Sequence, residues 1–223
     1  MRMLLMMLMG LLIAAPATAS VYKDFAKAWE ERDQTYRGER EALESRARSS
    51  AERAVNALVD SEPTAAEDLV LALSAAWSLS ELVGRGQMLY ALREHMAAKP
   101  SAVMSEIWIQ GKADGLRRRQ ADTDMIEREM GILEGRDTIG VQQWIAALER
   151  LSMMRGAIAG EAAELSLISQ NLATYYRARS DEQARSAELW AGVLAALAGA
   201  VQGQQEDIQR RSASCASGGR CGR

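Results

Sequence analysis

Apolar residues recur by threes, fours and sevens along nearly the whole chain, the spacing of helices that bury one face. Between Val21 and Val59 the stripe is Tyr22, Phe25, Trp29, Tyr36, Leu43, Ala47, Ala54 and Leu58, with polar residues on the other sides. The spacing predicts a long helix that offers one narrow face to its neighbours. Thr64 and Glu67 fit a capping box, so a second helix is expected to start there. Its run "LVLALSAAWSLSELV" is apolar on nearly every side and predicts the central, most buried element. Gly84 and Gly86 follow, and because each glycine costs about 1 kcal/mol against alanine inside a helix, a kink or short turn is expected there. Pro100 ends this helix, and a third is expected from Ser101 to Leu133, apolar at its ends and polar through "GKADGLRRRQADTD".

From Ile139 the pattern tightens to a heptad. Trp144, Leu151, Ile158, Leu165 and Leu172 recur every seven residues, with Val141, Leu148 and Ala162 ahead of three of them. Arg155, Ser169 and Tyr176 occupy the remaining partner positions, which suits one side of a bundle better than a two-stranded coiled coil. The same phase picks up Trp190, Val193, Leu197 and Ala200, and a helix restart is expected at Ser180, with Gln183 completing a capping box. The prediction is an all-α, elongated bundle of about five helices, some long and coiled-coil-like.

The first 19 residues change the picture of where this bundle works. Arg2, the thirteen apolar or small residues Met3 to Ala15, Pro16 and the triplet Ala17-Thr18-Ala19 have the form of a secretory signal cleaved before Ser20. A spanning helix needs about 20 apolar residues, so no membrane span is expected in the mature chain. The expected organisation is a signal peptide over 1–19, a helical domain over 20–211 and a flexible Gly/Ser-rich tail over 212–223, in a periplasmic or secreted protein. Composition agrees with helix, since Pro numbers only 3 and Val, Ile and Thr are sparse beside Ala, Glu, Arg and Leu. The 27 basic and 30 acidic side chains give a net charge of −3, and loss of Arg2 with the signal makes it −4. That mild, dispersed acidity argues against a nucleic-acid partner.

Both cysteines, Cys215 and Cys221, stand in the tail. An even pair in an exported protein is read as a disulfide, here a local staple, with an intermolecular bridge or a redox pair as alternatives. His95 is the only histidine, which excludes a multi-histidine metal site; its place near a helix end suits capping of carbonyls. Glu161 pairs with Glu164 and Glu127 with Glu129, yet the Glu-x-x-His signature of helical di-iron sites is missing. No catalytic residue, metal or cofactor is therefore assigned, and an enzyme is not expected. Arg117-Arg118-Arg119, flanked by Asp114, Asp122 and Asp124, reads as a solvated stretch. The five tryptophans, Trp29, Trp77, Trp108, Trp144 and Trp190, fall one to a helix and read as core anchors.

One stretch points to a partner. Leu189 to Val201 carries no charge, and Ala195, Gly199 and Gly203 set small side chains four apart, so another helix can approach closely. Packing inside the bundle is the expected use of this stripe; docking to another subunit or shallow membrane association are the others. The functional expectation is an exported structural or interaction protein of the cell envelope that presents helix faces to a protein partner or to itself. In architecture, though in no motif, such a chain resembles the exported helical minor pilins of type IV secretion and conjugation machines, which implies a place in an assembly of that kind. The alternative is a periplasmic binding or chaperone module, with Met125, Met130, Met153 and Met154 lining an apolar groove for small ligands or unfolded chains.

Overall fold

The computed structural model describes the backbone of residues 2–60, 62, 64–98, 106–134, 140–177 and 181–218, and side chains within 27–60, 62, 64–98, 107–132, 140, 142–174, 177 and 181–213. Five helices make up the described residues: α1 (Arg2–Val59), α2 (Ala65–Ala98), α3 (Glu106–Glu134), α4 (Val141–Arg177) and α5 (Asp181–Gly218). The chain is an all-α multi-helix bundle. It divides into two compact units, residues 1–35 and 36–223. The first is the N-terminal part of α1, helical across the Ala19–Ser20 bond, with Trp29 buried. The second holds the rest of α1 and α2 to α5 and is described below.

Local chemistry accounts for the helix ends. At the start of α2 the Thr64 carbonyl accepts the Asp68 amide at 3.0 Å, while the Thr64 hydroxyl donates to the Glu62 carboxylate at 3.5 Å. The Ala65 amide donates to the Glu62 carbonyl at 3.1 Å, and Glu67 and Asp68 place negative charge in the first turn, where the exposed amides favour it. Asp181 and Glu182 do the same for α5, and Arg177 closes α4 with the opposite sign. The break between α4 and α5 falls where the polar run predicted a restart, although Ser180 lies outside the described residues. At its far end α5 stays helical through Gly218, well into the segment expected to be a flexible tail, and Ser212 is fully buried there. The side chain of Cys215 and all of Cys221 lie outside the described residues.

The centre of the bundle is α4, not α2. α4 packs against α2, α5 and α3, and its heptad residues Trp144, Leu148, Leu151, Ile158, Ala162, Leu165 and Leu172 are all buried. α2 is the more apolar helix, but bulk hydropathy does not decide which helix others surround. What decides it is how closely neighbours can approach, and α4 carries the small residues for that. A Cβ added to Gly160 would stand 2.0 Å from the Glu81 carbonyl oxygen, and one on Gly156 would stand 2.7 Å from that of Trp77. From the other side, a Cβ on Gly84 would meet the Ala157 carbonyl oxygen at 2.3 Å. Gly84 therefore marks a backbone-to-backbone contact of two helices rather than a turn, and α2 runs unbroken through Gly84 and Gly86.

Toward the N-terminal ends of α2 and α4 from this contact lies an apolar core cluster: Leu69 and Leu73 of α2, Met130 of α3, Trp144, Leu148 and Leu151 of α4 and Ile208 of α5, with Leu58 of α1 and Ile126 of α3 against its edge. Each fully buried side chain of this size contributes about 1.5–3 kcal/mol relative to exposure. In α5 the buried line is Ala187, Ala191, Leu194, Val201 and Ile208. This is one position out of phase with the predicted line, and Trp190, Val193 and Leu197 are only half-buried while Ala200 is exposed. Of the five tryptophans, Trp29, Trp77 and Trp144 are buried, whereas Trp108 and Trp190 sit at the boundary.

Candidate functional site

Burying a charge is costly unless it is paired and hydrogen-bonded, so polar side chains inside a helical bundle ask for an explanation. The central helix α4 buries Ser152, Arg155, Glu161, Glu164, Ser166 and Ser169. Arg155 is fully buried; its Nη2 donates to Asp124 at 3.1 Å and to Glu127 at 2.8 Å, and its Nε to the Thr123 hydroxyl at 3.4 Å. Arg211 of α5 donates to the other Glu127 oxygen at 2.8 Å, and Gln120 and Gln204 donate to Asp124 at 2.9 and 3.1 Å. Two acids and two bases thus tie α3, α4 and α5 together with no net charge.

Two helical turns along α4, Glu161 accepts a two-pronged bond from Arg119 of α3, at 2.8 and 2.6 Å. Paired geometry of this kind is the strong form of an arginine–carboxylate contact. Arg119 was expected among solvated arginines and is instead an interhelical tie. Arg117 donates to Asp114 of its own helix at 3.3 Å and also stands over the Trp190 ring of α5, 5.7 Å from its centre; Arg118 is exposed. Glu164 accepts from the Tyr36 hydroxyl at 2.8 Å, which fixes α1 to α4. Burial, the hydrogen bond to Glu164 and the charge of that carboxylate raise the Tyr36 phenol above its ordinary pKa. Burial would lower the neighbouring Arg85 guanidinium, but Glu81 at 2.8 Å and Tyr36 hold its charge and the balance is upward. Ser152 donates to the Leu73 carbonyl and pairs with Gln205, and Ser166 donates to the Ala191 carbonyl. The acids Glu161 and Glu164 thus act as ties to α3 and α1.

The other sequence candidates scatter. His95 lies in the last turn of α2 and stacks on Trp108, ring centres 5.2 Å apart, with the Lys112 ammonium 5.6 Å from the same tryptophan. Met130 belongs to the core while Met125 and Met153 are exposed and Met154 is half-buried, so the four methionines do not form one surface. Among the described residues no group of three His, Cys, Asp or Glu gathers that could hold a metal.

The small-residue stripe is where prediction and structure part most usefully. Ala195, Gly199 and Gly203 were expected inside the bundle; all three are exposed, as are Gly192 and Ala196. A Cβ on Gly192, Gly199 or Gly203 would meet nothing within 4 Å. Leu189, at the head of the same face, is 67% exposed. The reason is that α5 is alanine-rich on both sides, and the larger Leu194, Val201 and Ile208 take the inner side. Over Asp181–Ala213 this helix is long and apolar enough to cross a membrane by length and composition, and less than a third of its most apolar window is buried.

Fold and surface together define a helical bundle that holds itself through a polar-laced central helix and turns an uncharged helix face outward. No protein-family model, no curated protein and no solved structure matches this chain.

Proposed function

We propose that this is an exported, non-enzymatic helical interaction protein of the cell envelope, which presents the outer face of α5 to a protein partner as part of an assembly. The observation that carries the proposal is the exposed face itself. From Leu189 to Val201 it bears no charge, its glycines are open, and a folded protein gains nothing in water from leaving such a strip uncovered. Small residues at this spacing let two backbones approach and gain dispersion contacts along their length. The N-terminal leader supports export, and export would make a bonded state of Cys215 and Cys221 the stable one.

The test uses the full mature chain, tagged and recovered from the envelope of its source cells, beside Ala196→Arg. Position 196 is exposed, so the variant is expected to keep its far-UV circular dichroism and melting temperature. The wild-type chain should bring down a fixed set of proteins in constant ratio, and the variant should lose them. Recovery of the same proteins with both, or of a heterogeneous mixture of unfolded chains, would defeat the reading; the mixture would favour a chaperone.

A further inference from the structure

We infer that the outer face of α5 is the interface for a second copy of this chain, packed antiparallel across a two-fold axis beside Ala196. The inference rests on the reading of that face as an interaction surface and names its occupant. Leu189, Gly192, Ala196, Gly199 and Gly203 follow one another by three, four, three and four residues, the seam of an interhelical contact, and every one is exposed. They lie opposite the line Ala187, Ala191, Leu194, Val201 and Ile208 that α5 buries in its own bundle. The seam is therefore centred on the outward side.

Charge at the ends of the seam selects the partner. Beyond its uncharged middle lie Glu182 and Arg185 at one end and Asp207 and Arg210 at the other, all exposed on the same side of the helix. In an antiparallel pair centred on Ala196, residues equally distant from it meet. Arg185 then faces Asp207 and Glu182 faces Arg210, each twice by symmetry. A parallel pair would bring Arg185 to Arg185 and Asp207 to Asp207, and like charges opposed across an interface are costly. The same register sets Leu189, the largest exposed apolar side chain of α5, against Gly203, and Gly192 against Ala200, so the one bulky side chain meets a glycine and the other pair is small on both sides. A surface complementary to itself in both charge and size under a two-fold rotation is what a symmetric dimer requires.

Asp207 and Arg210 already pair within the helix at 2.6 Å while remaining 62% and 75% exposed. Their outward atoms stay accessible to the second chain, and the four charges can close into one network. Glu188, which pairs with Arg177, flanks the seam.

Sedimentation equilibrium of the mature chain at low ionic strength tests this, with Arg185→Asp, Asp207→Arg and the double variant. The wild type should be a dimer. Each single reversal should weaken it about tenfold or more, and the double variant should recover most of that loss because its charges are again opposite across the axis. Ala196→Arg should be monomeric with an unchanged melting temperature. A wild type that stays monomeric, or a double variant no better than the singles, overturns the inference. If the monomer nevertheless brings down an envelope protein that Ala196→Arg loses, the interaction reading stands and only its occupant is wrong. Binding of the monomeric wild type to phospholipid vesicles, lost in Ala196→Arg, would assign the face to a lipid surface and overturn the second copy.

Discussion

Gly84 and Gly86 stand two residues apart on α2, and replacing each by alanine should move stability in opposite directions. Alanine gains about 1 kcal/mol over glycine inside a helix, and that gain applies to both. At Gly86 the new Cβ meets nothing within 4 Å, so the gain is expected nearly in full. At Gly84 it would stand 2.3 Å from the Ala157 carbonyl oxygen, far inside the 3.4 Å at which ordinary contact begins. The obstacle is backbone, with its carbon and Cα at 3.0 Å, and cannot swing aside like a side chain. α2 and α4 must part by roughly 1 Å, and a gap of that size forfeits up to about half of each dispersion contact between them. Overpacking of this kind costs about 1–3 kcal/mol, and the depth of the clash puts Gly84 near the upper end. After the propensity gain, Gly84→Ala should be about 2 kcal/mol less stable than wild type and Gly86→Ala about 1 kcal/mol more stable. In a chain of this size that is a fall of about 4–8 °C and a rise of about 2–4 °C. Thermal unfolding followed by far-UV circular dichroism separates the two. Equal shifts, or a Gly84→Ala protein melting at or above wild type, would refute the close approach.

The buried ties yield two further expectations. Asp124→Asn with Glu127→Gln leaves the Arg155 charge fully buried without an ionised partner and should cost about 3–5 kcal/mol in urea unfolding, whereas Arg155→Met should cost less, because both carboxylates are partly exposed and keep Gln120, Gln204 and Arg211. Equal losses would count against an asymmetric tie. Tyr36 is held neutral, its pKa raised in the folded chain, so its contribution is fully present below about pH 10 and is lost as pH rises beyond that. Tyr36→Phe should lower stability by about 1–3 kcal/mol at neutral pH and flatten the decline above pH 10; an unchanged alkaline slope would mean the phenol is not coupled to folding.

The helices and most of their ends were legible because apolar spacing and turn chemistry are local. Trp144, Leu151, Ile158, Leu165 and Leu172 are buried as their heptad predicted. What the sequence hid was set by distant neighbours. Arg155 occupies a patchy position of that heptad, and nothing nearby announces that Asp124 and Glu127 of another helix will make its burial tolerable. Gly84 looked like a break because its propensity cost is visible and its packing role is not; the spacing of Gly156 and Gly160, four apart, was the available clue. Arg119 could not be told from Arg118 without knowing where Glu161 points. For the candidate surface, the stripe was legible but its side was not, since Ala184, Ala187 and Ala191 face in while Ala195, Ala196 and Ala200 face out.

The dominance of α4 also sets an order of events for a chain made from its N-terminus. α2 and α3 do their main packing against α4 and α5, and Tyr36 of α1 reaches its acceptor 128 residues later. Until the segment up to Arg177 has emerged, the first three helices have almost nothing to fold onto, and their apolar faces stay open to proteases and to one another. A protein stopped near residue 140 would therefore not be a smaller bundle but a set of unsatisfied helices. Its cooperative unit is completed only when the second half of the chain arrives.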